Sequence, residues 1–391
     1  MAGWLIPLGI GSPEHRLMPE IAVANADSSR HILVVGAGVS GLTTALCLRR
    51  TGMEVTIVAE RFAPHITSVV AGALWEWPPA VCGYHQDQAS LTRSKGWSKT
   101  SYDIFAELAR SSETGVFMRT ATFYLRHPVE EDQRHFQKMN ELKDHVRDFI
   151  HDSSLITRNS VNPQSGVRDA YSHLTPLIDT DAYMTWLLGE VHRAGCRVIQ
   201  RRFTGILREQ EEALKRHFKV DAIVNCAGLG SAELANEFMY PLRGALVRIL
   251  NNGKRFPRIT QAHCVAHEGD ANEPGFIFIV PRGNDMLVLG GLAEPNQWGL
   301  EIGLHNYDPI RTMYQRCIDF LPILKNAELD PTEPVRVGLR PFRRQNVRLE
   351  RESGTNIIHN FGHGGSGVTF SWGCAQEVVE IVQSLLTTPE N

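Results

Sequence analysis

The sequence predicts an α/β fold in two parts, one built on a parallel sheet and the other on a mixed or antiparallel sheet. Three stretches carry that prediction. Residues 31–60 give an apolar strand, a helix and a second apolar strand. Residues 220–230 again run a buried strand into a glycine turn. Residues 276–280 and 286–289 read as strands joined by Arg282-Gly283-Asn284-Asp285, and such a hairpin belongs to an antiparallel sheet.

The first stretch is the most informative. Ile32 to Val35 are continuous branched apolar residues, the mark of a strand buried on both faces. Gly36, Gly38 and Gly41 follow as G-x-G-x-x-G. The first glycine permits a tight turn, the second lets a pyrophosphate approach the backbone, and the third lets the next helix pack closely on the strand. Leu42, Ala45, Leu46 and Arg49 fall at helical spacing, and Gly52 can stop that helix. Val55 to Val58 form the second strand, and Glu60 stands nineteen residues after Gly41. A carboxylate there can accept both ribose hydroxyls of an adenosine, while the helix N-terminus faces the pyrophosphate. A lone glycine fingerprint is weak evidence, but here strand, turn, helix, strand and acid come in order. The stretch predicts a Rossmann-like dinucleotide-binding unit.

Composition narrows the class. With 391 residues, 42% hydrophobic and 21% charged, the chain suits two domains or one large α/β unit of ordinary globular character. A net charge of −3 gives no electrostatic case for nucleic acid or an anionic membrane. The seven cysteines are scattered without a C-x-x-C, which predicts reduced, buried thiols, and neither they nor the sixteen histidines form a metal-ligand pattern. The apolar run at 4–10 is short and broken by Pro7, so residues 1–27 read as an arm rather than a leader. No run elsewhere reaches eighteen apolar residues, and Thr-Pro-Glu-Asn is no peroxisomal address. A cytoplasmic location is the expectation.

The remaining elements follow in order. Small apolar residues at 67–74 lead into Trp75-Glu76-Trp77-Pro78-Pro79, which reads either as a rigid loop beside a site or as core tryptophans. A helix is expected over 98–110, a strand over 117–125, a surface helix within 127–152 and a loop over 153–165. A helix over 182–193 and a strand over 196–200 precede the second glycine turn; strands are also expected over 245–249, and a helix over 310–320. Near the end, Ile357 and Ile358 close a strand before Gly362, Gly364, Gly365 and Gly367, with a helix from about Thr369. A nicotinamide enzyme has no obvious use for this second strand-to-helix glycine turn. A flavin held at both ends does, because its ring needs backbone N–H groups and a helix N-terminus.

At this point the chain resembles the D-amino-acid oxidase family of FAD flavoproteins, which includes D-aspartate oxidase and, more distantly, glycine oxidase. The resemblance runs from about Arg30 to Leu386. It rests on VVGAGVSGLTTALCL, on ERF-x-P at 60–64, on AGALW at 71–75 and on IVNCAG at 223–228. It continues through VLGG at 288–291, GLRP and VRLERE within 338–352, HNFGHGGSGVT at 359–369 and SWGCA at 371–375. It implies a discontinuous FAD domain from 28–73, 175–240 and 336–391, and a substrate domain from 74–174 and 241–335. Carried over by position, Gly36, Ala37, Gly38, Val39, Ser40 and Gly41 cradle the pyrophosphate, and Glu60 with Arg61 meets the adenosine. Thr67, Ser68, Ala73 and Leu74 line the ribityl and ring end, and Phe203 approaches the adenine. Cys226, Ala227 and Gly228 form the middle turn; Gly364, Gly365, Ser366, Gly367, Val368 and Thr369 hold the isoalloxazine. Arg340 clamps a substrate carboxylate, the alternative being a surface ion pair.

Departures from the family pattern fall at the substrate. Pro274 and Phe278 stand where the family's amino-acid oxidases carry tyrosines, and Ser366 replaces the tyrosine of the glycine turn. Losing a hydroxyl that bonds a charged group removes roughly 1.5–3 kcal/mol. Glu76 replaces a glutamine and adds an acceptor that prefers a cation, whether an arginine of the protein or a positive group of the substrate. Arg340, Phe278, Glu76 and Ser366 are therefore the candidate substrate-site residues. The resemblance implies an oxidase taking a hydride from the α-carbon of a D-amino acid, with oxygen as acceptor. A flavin oxidase of a secondary amine and a non-catalytic FAD-binding protein are the alternatives. The expected partners are a small amino acid or amine and oxygen, with a homo-oligomer left open.

Overall fold

The computed structural model describes residues 30–79, 85, 87–265 and 276–387. The arm at 1–27 and Pro274 lie outside them. Strands are numbered in chain order, and the chain divides them between two sheets.

The first sheet runs β14-β15-β7-β1-β2-β6. It contains β1 (His31–Val35), β2 (Glu54–Ala59), β6 (Arg197–Gln200), β7 (Ala222–Asn225), β14 (Arg348–Arg351) and β15 (Ile357–Phe361). All its pairings are parallel except β14 with β15. Ile32, Leu33 and Val34 of β1 are fully buried, as a central strand covered on both faces requires. Helix Val39–Arg50 lies on one face, packed against helix Gly367–Thr387 and helix Thr180–Arg193. Helix Leu207–Phe218, absent from the sequence expectations, covers the other side with Leu207, Leu214 and Phe218 buried.

The second sheet runs β12-β8-β11-β10-β9-β3-β5-β4, with β13 paired to β8. Its strands are β3 (Val116–Leu125), β4 (Arg147–His151), β5 (Asp169–Ile178), β8 (Met239–Leu250), β9 (Ala262–Val265), β10 (Ile277–Arg282), β11 (Met286–Gly290), β12 (Glu294–Pro295) and β13 (Val335–Arg343). The expected hairpin is β10–β11, antiparallel from Phe278↔Gly290 to Arg282↔Met286. One parallel pairing, β3 with β9, makes this sheet mixed.

Three local expectations change. Within 127–152 the helix is confined to Gln133–Leu142, and Arg147–His151 forms an edge strand instead. Within 153–165 short helical turns replace a plain loop, at Leu155–Arg158 and Pro163–Ser165. The boundary expected at 336 assigns β13 to the FAD unit, yet β13 is bonded to β8 along its whole length. Its apolar residues Val335 and Val337 pack with the second sheet's core, which holds it there.

Trp75 and Trp77 are core residues. Trp75 is fully buried, donates from Nε1 to the Ser98 carbonyl at 2.9 Å and meets Tyr102 edge-on at 4.9 Å; Trp77 stacks on His145. Between them Glu76 faces a cavity. The six described cysteines are free and buried, and no helix among the described residues is long and apolar enough to cross a membrane.

Candidate active site

The carboxyl ends of β1, β2 and β7 and the turn after β15 open onto one cavity of about 570 Å³ that continues onto the second sheet. Such a position, outside the strand ends of a parallel sheet, is where doubly wound folds bind ligands. At its centre the turn after β1 is built for close approach. Gly36 has φ +109°, and a Cβ there would lie 2.4 Å from the Cys226 carbonyl oxygen. That approach ties the first glycine turn to the second, where the Cys226 N–H donates to the Val35 carbonyl at 2.8 Å.

Helix Val39–Arg50 then begins at Gly38 without a side-chain cap of its own; the Val39 N–H donates to Ser68 Oγ at 3.0 Å. Its N-terminus opens onto the cavity through Gly38, Val39 and Ser40, which suits a pyrophosphate. Glu60 and Arg61, both exposed, line the cavity, as does Phe203. Thr67, Ser68, Ala73, Leu74, Cys226, Ala227 and Gly228 line it as well. So do Gly364, Gly365, Ser366, Gly367, Val368 and Thr369, at the start of the last helix.

Every candidate cofactor residue lines this cavity except Gly41. A Cβ on Gly41 would lie 2.0 Å from the Gly36 carbonyl oxygen. Gly41 therefore seats the helix on the turn, the close packing expected of the third glycine.

The second sheet contributes the rest of the lining. Phe278 projects from β10 over Gly72 and Gly290, where a Cβ would meet its ring at 2.7 and 3.4 Å respectively. Phe276, Leu246 and Ala293 add apolar wall. Arg340, on β13, is half-buried against the cavity and donates from Nη1 to the Leu292 carbonyl at 3.3 Å. Among the described residues no carboxylate lies within ion-pair distance of it. Burial alone pushes its pKa down to about 10, which leaves it cationic at neutral pH. A desolvated guanidinium without a counter-charge is costly, and a bound anion would relieve it. Arg340 is thus no surface ion pair.

Glu76 also lines the cavity, but Lys138 Nζ donates to its Oε1 at 2.8 Å and to the Pro79 carbonyl at 2.8 Å. Its cation is a lysine of the protein. Ser366 is buried, its N–H donating to the His363 carbonyl at 3.0 Å. His363 lines the cavity with its ring bonded to Asn360 at 2.9 Å, and burial lowers its pKa to about 4. The sequence reading missed the glycines that make room here, Gly72, Gly244, Gly290 and Gly338. The AGALW, VLGG and GLRP stretches contain Gly72, Gly290 and Gly338, and Gly244 lies in none of them.

The parallel sheet with two glycine turns, beside an apolar pocket whose arginine has no carboxylate partner among the described residues, defines a dinucleotide-dependent enzyme. Comparison with known proteins gives the family. A family model described as FAD dependent oxidoreductase (DAO) matches residues 31–381. The D-amino-acid oxidase of Rubrobacter xylanophilus is 32% identical over 362 residues, covering 91% of this chain and 96% of the relative. That of Streptomyces coelicolor is 32% identical over 358 residues, covering 90% and 96%. Among solved structures, glycine oxidase from Bacillus cereus superposes with a TM-score of 0.69 at 16% identity, covering 91% of this chain and 96% of that one. FAD-bound L-alpha-glycerophosphate oxidase from Mycoplasma pneumoniae gives 0.69 at 15%, covering 91% and 95%. These two likenesses show the fold. The chain belongs to the D-amino-acid oxidase family of FAD-dependent oxidoreductases, and FAD is its cofactor.

Proposed function

We propose that the chain oxidises a D-amino acid, removing hydrogen from the α-carbon to give an imine that hydrolyses to a keto acid and ammonia. The observation that carries this reading is Arg340, a cation in an apolar pocket with no carboxylate partner among the described residues. Its planar fork matches two oxygens of an α-carboxylate and fixes the α-carbon relative to the ring end of the cavity. Phe278, Phe276 and Leu246 exclude water from the opposite side. Bound FAD would supply the hydride acceptor and, through its reoxidation by oxygen, hydrogen peroxide.

The balance is one amino acid, one oxygen and one water giving keto acid, ammonia and peroxide. The substrate ammonium must lose a proton; Glu76 is held by Lys138 and burial opposes protonation of His363, so neither is assigned as its base. The amine then enters neutral or loses its proton to solvent, and the protein contributes position and electrostatics. In this reading 28–73, 175–240 and 336–391 hold FAD, with β13 lending Arg340 to the substrate domain of 74–174 and 241–335.

The test is an anaerobic screen of D- and L-amino acids and N-alkyl amino acids for bleaching of the flavin absorbance. Bleaching by D-amino acids with release of ammonia is expected. Bleaching only by N-alkyl substrates with release of an alkylamine would replace this reading with secondary-amine oxidation. No bleaching by any of them would end it.

A further inference from the structure

The strand pair β8–β13 has a bare patch on its cavity face. Gly338 and Gly244 stand directly opposite in register, and Arg340 stands opposite Leu242. A Cβ on Gly338 would meet Val70 Cβ and Cγ1 at 2.9 Å, so Val70, from the short helix Thr67–Val70, fills that half of the patch. A Cβ on Gly244 would meet the Arg340 guanidinium, with Nη1 at 2.3 Å and Cζ and Nη2 at 2.6 Å. The guanidinium thus lies flat over the Gly244 backbone, diagonally across the ladder from its own Cα.

We propose that Gly244 is the positioning residue of the carboxylate clamp: its missing side chain is the bed on which the Arg340 guanidinium rests, and it fixes how far that fork stands into the pocket. The inference rests on the reading of Arg340 as a carboxylate clamp. The three atoms nearest to a Cβ at 244 all belong to the movable end of one side chain, and none to backbone. The fold can therefore tolerate the change while the guanidinium must rise by about 1 Å to regain ordinary contact distance. The carboxylate rises with it, and the α-carbon leaves its reactive position. A misplacement of about 1 Å can cost on the order of 10²-fold in rate.

Gly244→Ala, tested as the FAD-loaded enzyme, should retain flavin and lose about 10²-fold in kcat/KM on the D-amino acid that bleaches the flavin fastest. Propionate, titrated against the flavin absorbance, should bind correspondingly more weakly, with propionamide unaffected. Gly290→Ala is the crowding control: its Cβ would meet Leu246 Cδ2 at 2.8 Å and Phe278, not Arg340, so propionate binding should move less. In an Arg340→Leu background Gly244→Ala should add nothing further, because the group it displaces is gone. If Gly244→Ala alone does not fold, the double variant must fold. Kinetics within about twofold of the parent would overturn the inference, as would an equal loss in the Arg340→Leu background or a double variant that also fails to fold. Should Arg340→Leu itself leave propionate binding intact, the clamp reading has failed rather than the role of Gly244.

Discussion

Arg340 and Arg282 sit in the same sheet, and burial lowers the pKa of each to about 10, but their surroundings differ. Arg282, at the end of β10, is tied to the protein through both terminal nitrogens, while its buried Nε has no hydrogen-bond partner among the described residues. It donates from Nη1 to Thr180 Oγ1 at 2.6 Å and from Nη2 to the carbonyls of Ala71 at 2.7 Å and Gly72 at 3.2 Å. Thr180 in turn donates to the Val69 carbonyl at 2.6 Å, and the charges of Asp179 and Asp181 oppose the effect of burial. Arg340 has one longer bond to a carbonyl and only burial acting on its charge. The difference teaches how to separate a strut from a clamp. A buried guanidinium whose terminal nitrogens are bonded to the protein carries structure, whereas one whose fork opens into a cavity has donors left for a ligand, the role proposed for Arg340.

The sharpest way to break this comparison is to remove each group in turn. Arg340→Leu should leave FAD bound and lower kcat/KM by about 10²- to 10⁴-fold, since two charge-assisted bonds to a carboxylate are worth roughly 1.5–3 kcal/mol each. Its melting temperature should hold or rise, because a desolvated, unpaired charge has been taken out of the fold. Arg340→Lys should recover only part of the loss, the fork being gone. Stopped-flow flavin reduction and a thermal melt together decide it. A variant that melts early with unchanged kinetics would make Arg340 a strut.

Arg282→Met should behave in the opposite manner. It leaves the carbonyls of Ala71 and Gly72 without their donor and frees the segment that carries Leu74 past the cavity. We expect a stability loss of about 2–4 kcal/mol, read by urea denaturation, and weaker FAD retention, read by ultrafiltration. The KM of whatever holoenzyme survives should change little. A large KM effect with unaltered stability would place Arg282 among the substrate contacts.

Legibility in the sequence followed the same division between local and crossing interactions. The first sheet was readable because its signals are local: a branched apolar run, glycines at fixed offsets and an acid at the next strand end all lie within 31–60. The second sheet was less so. β5 is buried throughout most of its length, yet its sequence DAYSHLTPLI is interrupted by His173, Thr175 and Pro176. Pro176 lies beyond the β4 pairing and opposite the short 73–75 segment, where the Trp75 N–H donates to its carbonyl at 3.0 Å. Thr175 Oγ1 donates to the Trp75 carbonyl at 3.0 Å, supplying the bond a proline nitrogen cannot make. β13 carries Arg336, Arg340 and Arg343 and does not read as a strand at all; pairing with β8 makes it one. Arg340 was found through the GLRP stretch, but Gly244 could not be, because its reason is a side chain arriving from another strand.

Glu76 gives the smallest expected effect and tests whether a charged lining residue must belong to the substrate. It stands between two buried tryptophans in an extended segment, so its side chain falls on the cavity side while theirs fill the core. An acid there could receive the substrate's ammonium or a basic side chain. Against that, Lys138 Nζ already lies 2.8 Å from Oε1, and the lysine is itself largely buried and tied to the Pro79 carbonyl. A basic substrate would meet a neutralised pair and would have to displace a cation that keeps its own backbone bond. Because the glutamate is about one-third exposed, its side chain at 32%, solvent screens the pair and its contribution is modest, about 1 kcal/mol or less. Glu76→Gln keeps the shape and one acceptor for Lys138. It should therefore lower stability only slightly and leave the ranking of neutral, acidic and basic D-amino acids unchanged in kcat/KM. A selective loss on D-lysine or D-arginine, with neutral substrates unaffected, would show that the carboxylate serves the substrate after all and that Lys138 yields to it.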